Sequence, residues 1–235
     1  MKTIERARAH AIPWRKENLR HHVVRNNTIS HCEQSGLVGS LGAAFSTVDG
    51  NVIHDIHVRR LFTGAEMAGI KFHAGGDNRF HNNLFVGDGQ APSAARKGNL
   101  EELRWISSHG LWAYDGRTFP LQTGGDVYCH GAQPYAREAR PVVRPDHDPG
   151  VRLAAEGERM LLRITLPSTL PEADAKLVTT ELLRKAKVSG QSYVQPDGSA
   201  TEVDRDYFGK SREGSRPTPG PFEEPSGGAI TLQVW

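Results

Sequence analysis

The sequence predicts an all-β protein: a right-handed parallel β-helix of few coils followed by a β-rich C-terminal extension. Two repeated phrases and the composition predict it. The first phrase is an apolar residue, two variable ones, Asn, one variable and an apolar residue. It occurs as Val24-Arg-Asn-Asn27-Thr-Ile29, Val48-Asp-Gly-Asn51-Val-Ile53 and Phe80-His-Asn-Asn83-Leu-Phe85. Its copies start at 24, 48 and 80, spacings of 24 and 32 residues. The second phrase follows the first two copies, as Gly36-Leu-Val38 and Gly69-Ile-Lys-Phe72. Repeats of this period mark solenoids, in which each coil buries its inward residues only against its neighbours. The Asn residues would stack inward at a turn, each amide bonding the next coil. The 25 glycines and 14 prolines suit many turns and few long helices.

The chain divides into three parts. Residues 1–22 are basic and His-rich and read as a cap over the open end of the solenoid, with a helical turn over Lys2–His10 broken at Ala11-Ile-Pro13-Trp14. Residues 23–133 hold the coils, with a Gly/Ala/Pro-rich loop at 88–109 that includes a short helix over Glu101–Ser107. Gly110–Tyr114 and Asp126–Cys129 read as further strands, at most one more coil. Residues 134–235 are β-rich. Val151–Leu153 and Met160–Leu166 read as a hairpin, Pro196-Asp-Gly198 as a turn and Ile230–Trp235 as a final strand. Residues 178–188 read equally as strand or helical turn, and the whole region could wrap the coils or form a small sandwich.

A net charge of +2 gives no electrostatic support to nucleic-acid binding. No apolar run is long enough to span a membrane. Charge is scattered through the first ten residues, so a secretory leader is not expected there and the cytoplasm is the expected compartment. Cys32 and Cys129 are far apart in sequence, and Cys32, in a strand-like run, reads as a buried small apolar residue rather than a bridge partner. No cofactor or metal is expected. His54-Asp-Ile-His57 offers two imidazoles but no third ligand. Asp49, Asp77, Asp115 and Asp126 lie at or beside glycine-containing turns and read as turn residues. Trp112, Tyr114 and Tyr128 could stack on a sugar ring, although at strand spacing aromatic residues more often line a core.

If Ile70 and Phe72 point inward, Lys71 and His73 point outward on one flank, because alternate strand residues face opposite sides. Glu66 precedes them in a long insertion, and insertions in solenoids form loops on one face. A carboxylate beside a Lys and a His can bind sugar hydroxyls, and an ion pair on a solvated flank has the same composition.

The run from Ser30-His-Cys-Glu-Gln-Ser-Gly36 to Glu66-Met-Ala-Gly-Ile-Lys-Phe-His73 resembles the β-xylosidases of glycoside hydrolase family 120, which have a pectin lyase-like fold. Gly125-Asp-Val-Tyr, Leu177-Val-Thr-Thr-Glu-Leu-Leu, Pro196-Asp-Gly, Asp206-Tyr-Phe-Gly and Pro217-Thr-Pro-Gly-Pro-Phe resemble the same family in order. The resemblance implies a retaining glycosidase acting on xylose-containing oligosaccharides through two carboxylates about 5 Å apart. It also implies a gap. The family's Gly-Ile-Trp-Leu-Asp-Trp, which carries the nucleophile, and its Phe-Val-Glu, which carries the acid/base, have no counterpart here. The sequence passes from His73-Ala74 directly to a later coil at Gly75-Gly-Asp-Asn-Arg-Phe-His. The resemblance therefore leaves no catalytic residue. It assigns Glu66 as an acid that assists sugar binding, with Lys71 and His73 beside it. The expected protein is a glycosidase by descent, truncated and catalytically impaired. The alternatives are a carbohydrate-binding or structural β-helix, and a polysaccharide lyase for which fold analogy is the only support. Should turnover occur, Glu66 with Asp77 would be the first acids to suspect. With so few coils, a marginal fold with exposed apolar surface is expected.

Overall fold

The structure is a computed structural model that describes residues 10–14, 22–26, 28–29, 35–39, 46–50, 52–53, 77–87, 89, 110–115, 120–187, 190–195, 197–212, 216–223 and 227–234. The regular elements among the described residues are nearly all strands, and the strands of the N-terminal half pair in parallel.

Four strands form one parallel sheet: β2 (His22–Arg25), β5 (Ser46–Asp49), β7 (Asn78–His81) and β9 (Leu121–Gly124). A second parallel sheet holds β3 (Thr28–Ile29), β6 (Val52–Ile53), β8 (Leu84–Val86), β10 (Val127–Cys129) and β11 (Val142–Arg144). The chain alternates between them. Each strand of the first sheet passes through two residues into a strand of the second, at 26–27, 50–51, 82–83 and 125–126. A third parallel pair joins β1 (His10–Trp14) to β4 (Ser35–Gly39).

The register follows the repeated phrase. Val24 pairs with Val48 and Val48 with Phe80, while Ile29 pairs with Ile53 and Ile53 with Phe85. The column continues beyond the three copies, with Phe85 beside Tyr128 and Tyr128 beside Val143. Phe85 and Tyr128 are fully buried, and their rings stack 5.0 Å apart. Such stacking adds about 1 kcal/mol to the burial of the two rings. Thr123-Gly-Gly-Asp126-Val-Tyr128 is thus a fourth copy, with Asp in place of Asn and Thr in place of the first apolar residue.

The turns share one conformation. Asn26, Gly50, Asn82 and Gly125 all have positive φ, between 52° and 70°. Only Gly and, less readily, Asn or Asp reach that region without strain, which explains the alternation of Asn and Gly at this position.

The C-terminal half wraps the coils. β12 (Arg152–Glu156), β13 (Arg159–Leu166) and β14 (Gly228–Gln233) make an antiparallel sheet. Leu162, Ile164 and Leu166 alternate with exposed Arg163 and Thr165 along β13. They pack against Leu84, Val86, Val127, Cys129 and Val142 of the second parallel sheet. β8 and β10 are therefore buried on both faces, in keeping with their unbroken apolar sequences. Residues 176–187 and Tyr193 lie against the first parallel sheet instead. Val178, Leu183, Ala186, Tyr193 and Val203 form a smaller core there. The ambiguous stretch contains a one-turn helix, α1 (Thr180–Leu183), with the Thr179 side chain accepting from Leu182 N at its start.

Two expectations need correction. His10, expected at the end of a helical turn, instead begins strand β1, which among the described residues pairs with β4 alone, and a sheet edge tolerates Pro13; the rest of the expected turn, residues 2–9, lies outside the described residues. Leu111–Tyr114 is a 3-10 turn rather than a strand, because this stretch pairs through a single parallel bridge from Gly110 to Gln133. Cys32 and the expected helix over Glu101–Ser107 lie outside the described residues. Cys129 is buried as a free thiol. No described helix is long and apolar enough to cross a membrane.

Candidate functional site

Glu66, Lys71 and His73 lie outside the described residues, as do His54 and His57. The structure fixes the two ends of the segment that holds them. The chain leaves at Ile53 in β6 and returns at Asp77, just before β7. β5 and β6 pair with β7 and β8, so the segment connects adjacent coils.

The segments that return from the second sheet to the first differ in length, spanning 30–45, 54–77 and 87–120, while each passage from the first sheet to the second has two residues. Connections of variable length are where repeat folds carry their binding loops.

Asp77 does not offer a second acid to these segments. It is buried, its carboxylate accepts from Lys187 N at 2.7 Å, and Arg79 lies 3.8 Å away. Tyr193 OH donates to the Asp77 carbonyl. The turn reading of Asp77 stands, since its φ is 58°.

The outer row of the first sheet is polar yet covered. Arg79 and His81 point away from Phe80, and both are buried under the C-terminal half. Arg79 Nε donates to Leu183 O at 3.2 Å, and its guanidinium lies 4.7 Å from the centre of the Tyr193 ring. Burial pulls the Arg79 guanidinium below its ordinary pKa, against the stabilising charges of Tyr193 and Asp77. Burial also lowers His81, to about 4, and the Arg79 charge adds to the shift. Gln122 Nε2 donates to Leu182 O at 3.0 Å, and Asn82 Nδ2 to Lys176 O at 2.9 Å. Arg79, Gln122 and Asn82 thus fasten the sheet to the C-terminal half, while His81 Nε2 is buried without a hydrogen-bond partner among the described residues.

A second polar group lies inside the fourth coil. Asp126 Oδ1 accepts from both Asn83 N, at 2.8 Å, and Asn83 Nδ2, at 2.9 Å. This is the expected bond from one coil's amide to the next coil. Asp126 is thus an interior residue as well as a turn residue, and it is 0% exposed. The Glu138 carboxyl bonds Asp126 and accepts from Tyr128 OH at 2.6 Å. Burial lifts the Glu138 carboxyl to about 7, although the bonds from Tyr128 and Asp126 favour its charged form. Burial also raises the Tyr128 hydroxyl, with the Asp126 and Glu138 charges adding to it. A carboxyl that titrates near 7 beside another carboxyl suits acid/base chemistry. At 8% exposure for Glu138, however, no substrate bond can reach it, and the group acts as an internal brace.

Thr123–Tyr128 fits the phrase only when Asp is allowed for Asn and Thr for the first apolar residue, so the signal for Asp126 is weak. Glu138 follows Tyr135-Ala-Arg in a proline-rich stretch and carries no such signal. Tyr114 is buried against Phe80 at 5.9 Å and Tyr128 stacks on Phe85, so both line the core. Trp112 is half-buried. Among the described residues, no three His, Cys, Asp or Glu side chains converge to hold a metal ion.

No known protein family matches the chain, and no curated protein does. Among solved structures, that of XylC in complex with xylose resembles it, with a TM-score of 0.53 and 16% sequence identity. The superposition covers 94% of this chain and 53% of that one. At this identity the likeness concerns the fold alone, and the chain spans about half the length of its structural neighbour.

Proposed function

We propose that this protein is a right-handed parallel β-helix of glycoside hydrolase type, resembling the β-xylosidases of family 120, that binds xylose-containing glycosides without hydrolysing them efficiently. One observation carries the reading. The phrase copies that share the family's order pair in register, Ile29 to Ile53 to Phe85, so the resemblance falls on neighbouring coils of one stack. The fold likeness to a xylose-bound protein supports the same class of ligand.

In this reading Glu66, Lys71 and His73 form the sugar-contacting wall, within one of the segments of variable length. Retaining hydrolysis needs one carboxylate to attack and a second to protonate the leaving oxygen. The family's two phrases that carry them have no counterpart in the chain. Asp77 cannot substitute, being buried and already bonded to Lys187 N. The loss of the cutting pair leaves a binding wall.

Calorimetric titration with xylobiose, alongside an aryl β-xyloside assay, tests both halves. The expected outcome is heat at millimolar sugar, weaker in Glu66→Gln, with hydrolysis at the uncatalysed rate. Turnover at enzyme-like rates would overturn the catalytic impairment. Absence of heat in the wild-type protein would overturn the sugar ligand.

A further inference from the structure

We infer that Phe208 is a second, separate sugar-stacking platform, which takes the apolar face of a pyranose ring of a neutral oligosaccharide. The choice of sugar rests on the carbohydrate reading above, while the platform rests on its own geometry.

Phe208 is 52% exposed, and it is the one large apolar residue so exposed among the described residues. Its ring stacks on buried Phe222, with centroids 5.5 Å apart and planes 26° apart. Tyr207 stands nearly perpendicular to Phe208, at 5.1 Å and 87°, and 5.8 Å from Phe222. The three centroid distances make a nearly equilateral triangle. Phe208 thus has aromatic neighbours in both Phe222 and Tyr207 and still leaves half of its surface exposed. The ring is fixed before any ligand arrives. Asp206 Oδ1 accepts from Phe208 N and Lys210 N, both at 2.8 Å, and its Oδ2 accepts from Glu223 N at 2.9 Å. Tyr207 OH donates to Val234 O at 2.6 Å. One loop is thereby tied to both of its neighbours.

A rigid aromatic face with few torsions to lose is an inexpensive contact for a flat ring ligand. The axial C–H groups of a pyranose lie on such a face. Exposed Arg205 and Lys210 lie three residues before and two residues after Phe208 in sequence. A second protein chain fits less well. A stable interface buries roughly 1,200 Å² or more, and one exposed phenyl ring supplies a small part of that.

The test titrates xylotetraose into the full-length protein, Phe208→Ala, Phe208→Trp and Glu66→Gln, following Phe208→Trp by indole fluorescence and the others by calorimetry. Phe208→Ala gives up the stacking on Phe222, so it should lower the melting temperature by only a few degrees and leave the protein folded. The expected result is that Phe208→Ala removes one class of sites or weakens it about tenfold or more, the scale of one lost aromatic contact. Phe208→Trp should bind at least as well and change its fluorescence. Glu66→Gln should leave the Phe208 class unchanged. Titration of Phe208→Ala identical to wild type would overturn the platform and leave the Glu66 wall standing. Loss confined to Phe208→Ala, with Glu66→Gln unaffected, would support the platform and remove the wall. Absence of sugar binding in the wild type would overturn both. A change from dimer to monomer in Phe208→Ala by sedimentation equilibrium would assign the ring to a chain–chain contact and overturn the sugar platform.

Discussion

Asn82 Oδ1 occupies the space that a side chain at Gly125 would need: a Cβ there would lie 2.5 Å from it. Asn26 and Gly50 repeat the relationship two coils earlier, also at 2.5 Å. Each Asn leans over the Gly of the next coil, so the turn column alternates a side chain with a gap.

Gly125→Ala should therefore destabilise the protein by roughly 2–4 kcal/mol, combining the cost of positive φ with overpacking. Urea unfolding measures it. Adding Asn82→Gly should recover only part of the loss, because the new Cβ would also lie 2.7 Å from Ala175 Cα and φ would remain +70°. Full recovery would show that backbone strain and the C-terminal contact contribute nothing.

Arg212 is the buried pin between the C-terminal half and the first coil. Its Nη2 donates to Gly220 O at 2.7 Å and Asn26 Oδ1 at 3.2 Å, and its Nη1 to Thr218 O at 2.9 Å. Glu223 lies 3.6 Å away. Arg212→Ala leaves these acceptors buried, and should cost about 3–5 kcal/mol. Hydrogen exchange should quicken at Gly220, whose amide donates to Asn82 O, before it quickens in β13. Uniform quickening across the chain would argue against a local fastening.

Two of the buried titratable groups, Glu138 and His81, oppose each other in pH. Glu138 has its folded-state pKa raised from 4.5 to about 7, so the folded state holds that proton more tightly and stability falls as pH rises through this range. His81 has its pKa lowered from 6.5 to about 4, so stability falls as pH drops through that range. Glu138→Gln keeps an acceptor for Tyr128 OH and removes the first slope. Its stability relative to wild type should thus be highest above pH 7 and decline toward pH 4.5. Chemical denaturation across that range is the measurement. A difference that does not change with pH would show that Glu138 does not titrate as a buried group.

The coils were legible because their signals are local. A turn residue must be Asn or Gly for its φ, and the next must be a short amide or carboxylate that can reach the adjacent coil, as Asn83 reaches Asp126. The hairpin over β12 and β13 was legible from the alternation of Leu162, Ile164 and Leu166 with polar residues. What stayed hidden depends on contacts distant in sequence. Arg79 and His81 look like solvated residues on an outer flank, and only the arrival of residues 175–187 buries them. Glu138 joins Asp126 through a bend that no pattern announces. The segment that carries Glu66, Lys71 and His73 lies outside the described residues, which supply only its two ends, Ile53 and Asp77.

The constant two-residue corner has a consequence for how this chain can change over generations. Successive layers lie one strand spacing apart, roughly 4.8 Å, whatever length of chain joins them. Material can be spliced into or cut out of the variable return segments in whole layers, and the ends still meet as neighbours. Growth and loss are thus confined to those segments, leaving the hinge-like column of Asn26, Gly50, Asn82 and Gly125 in step. A lineage on this plan can shed an active centre in one event and still retain a foldable body with a surface on which new recognition can be built.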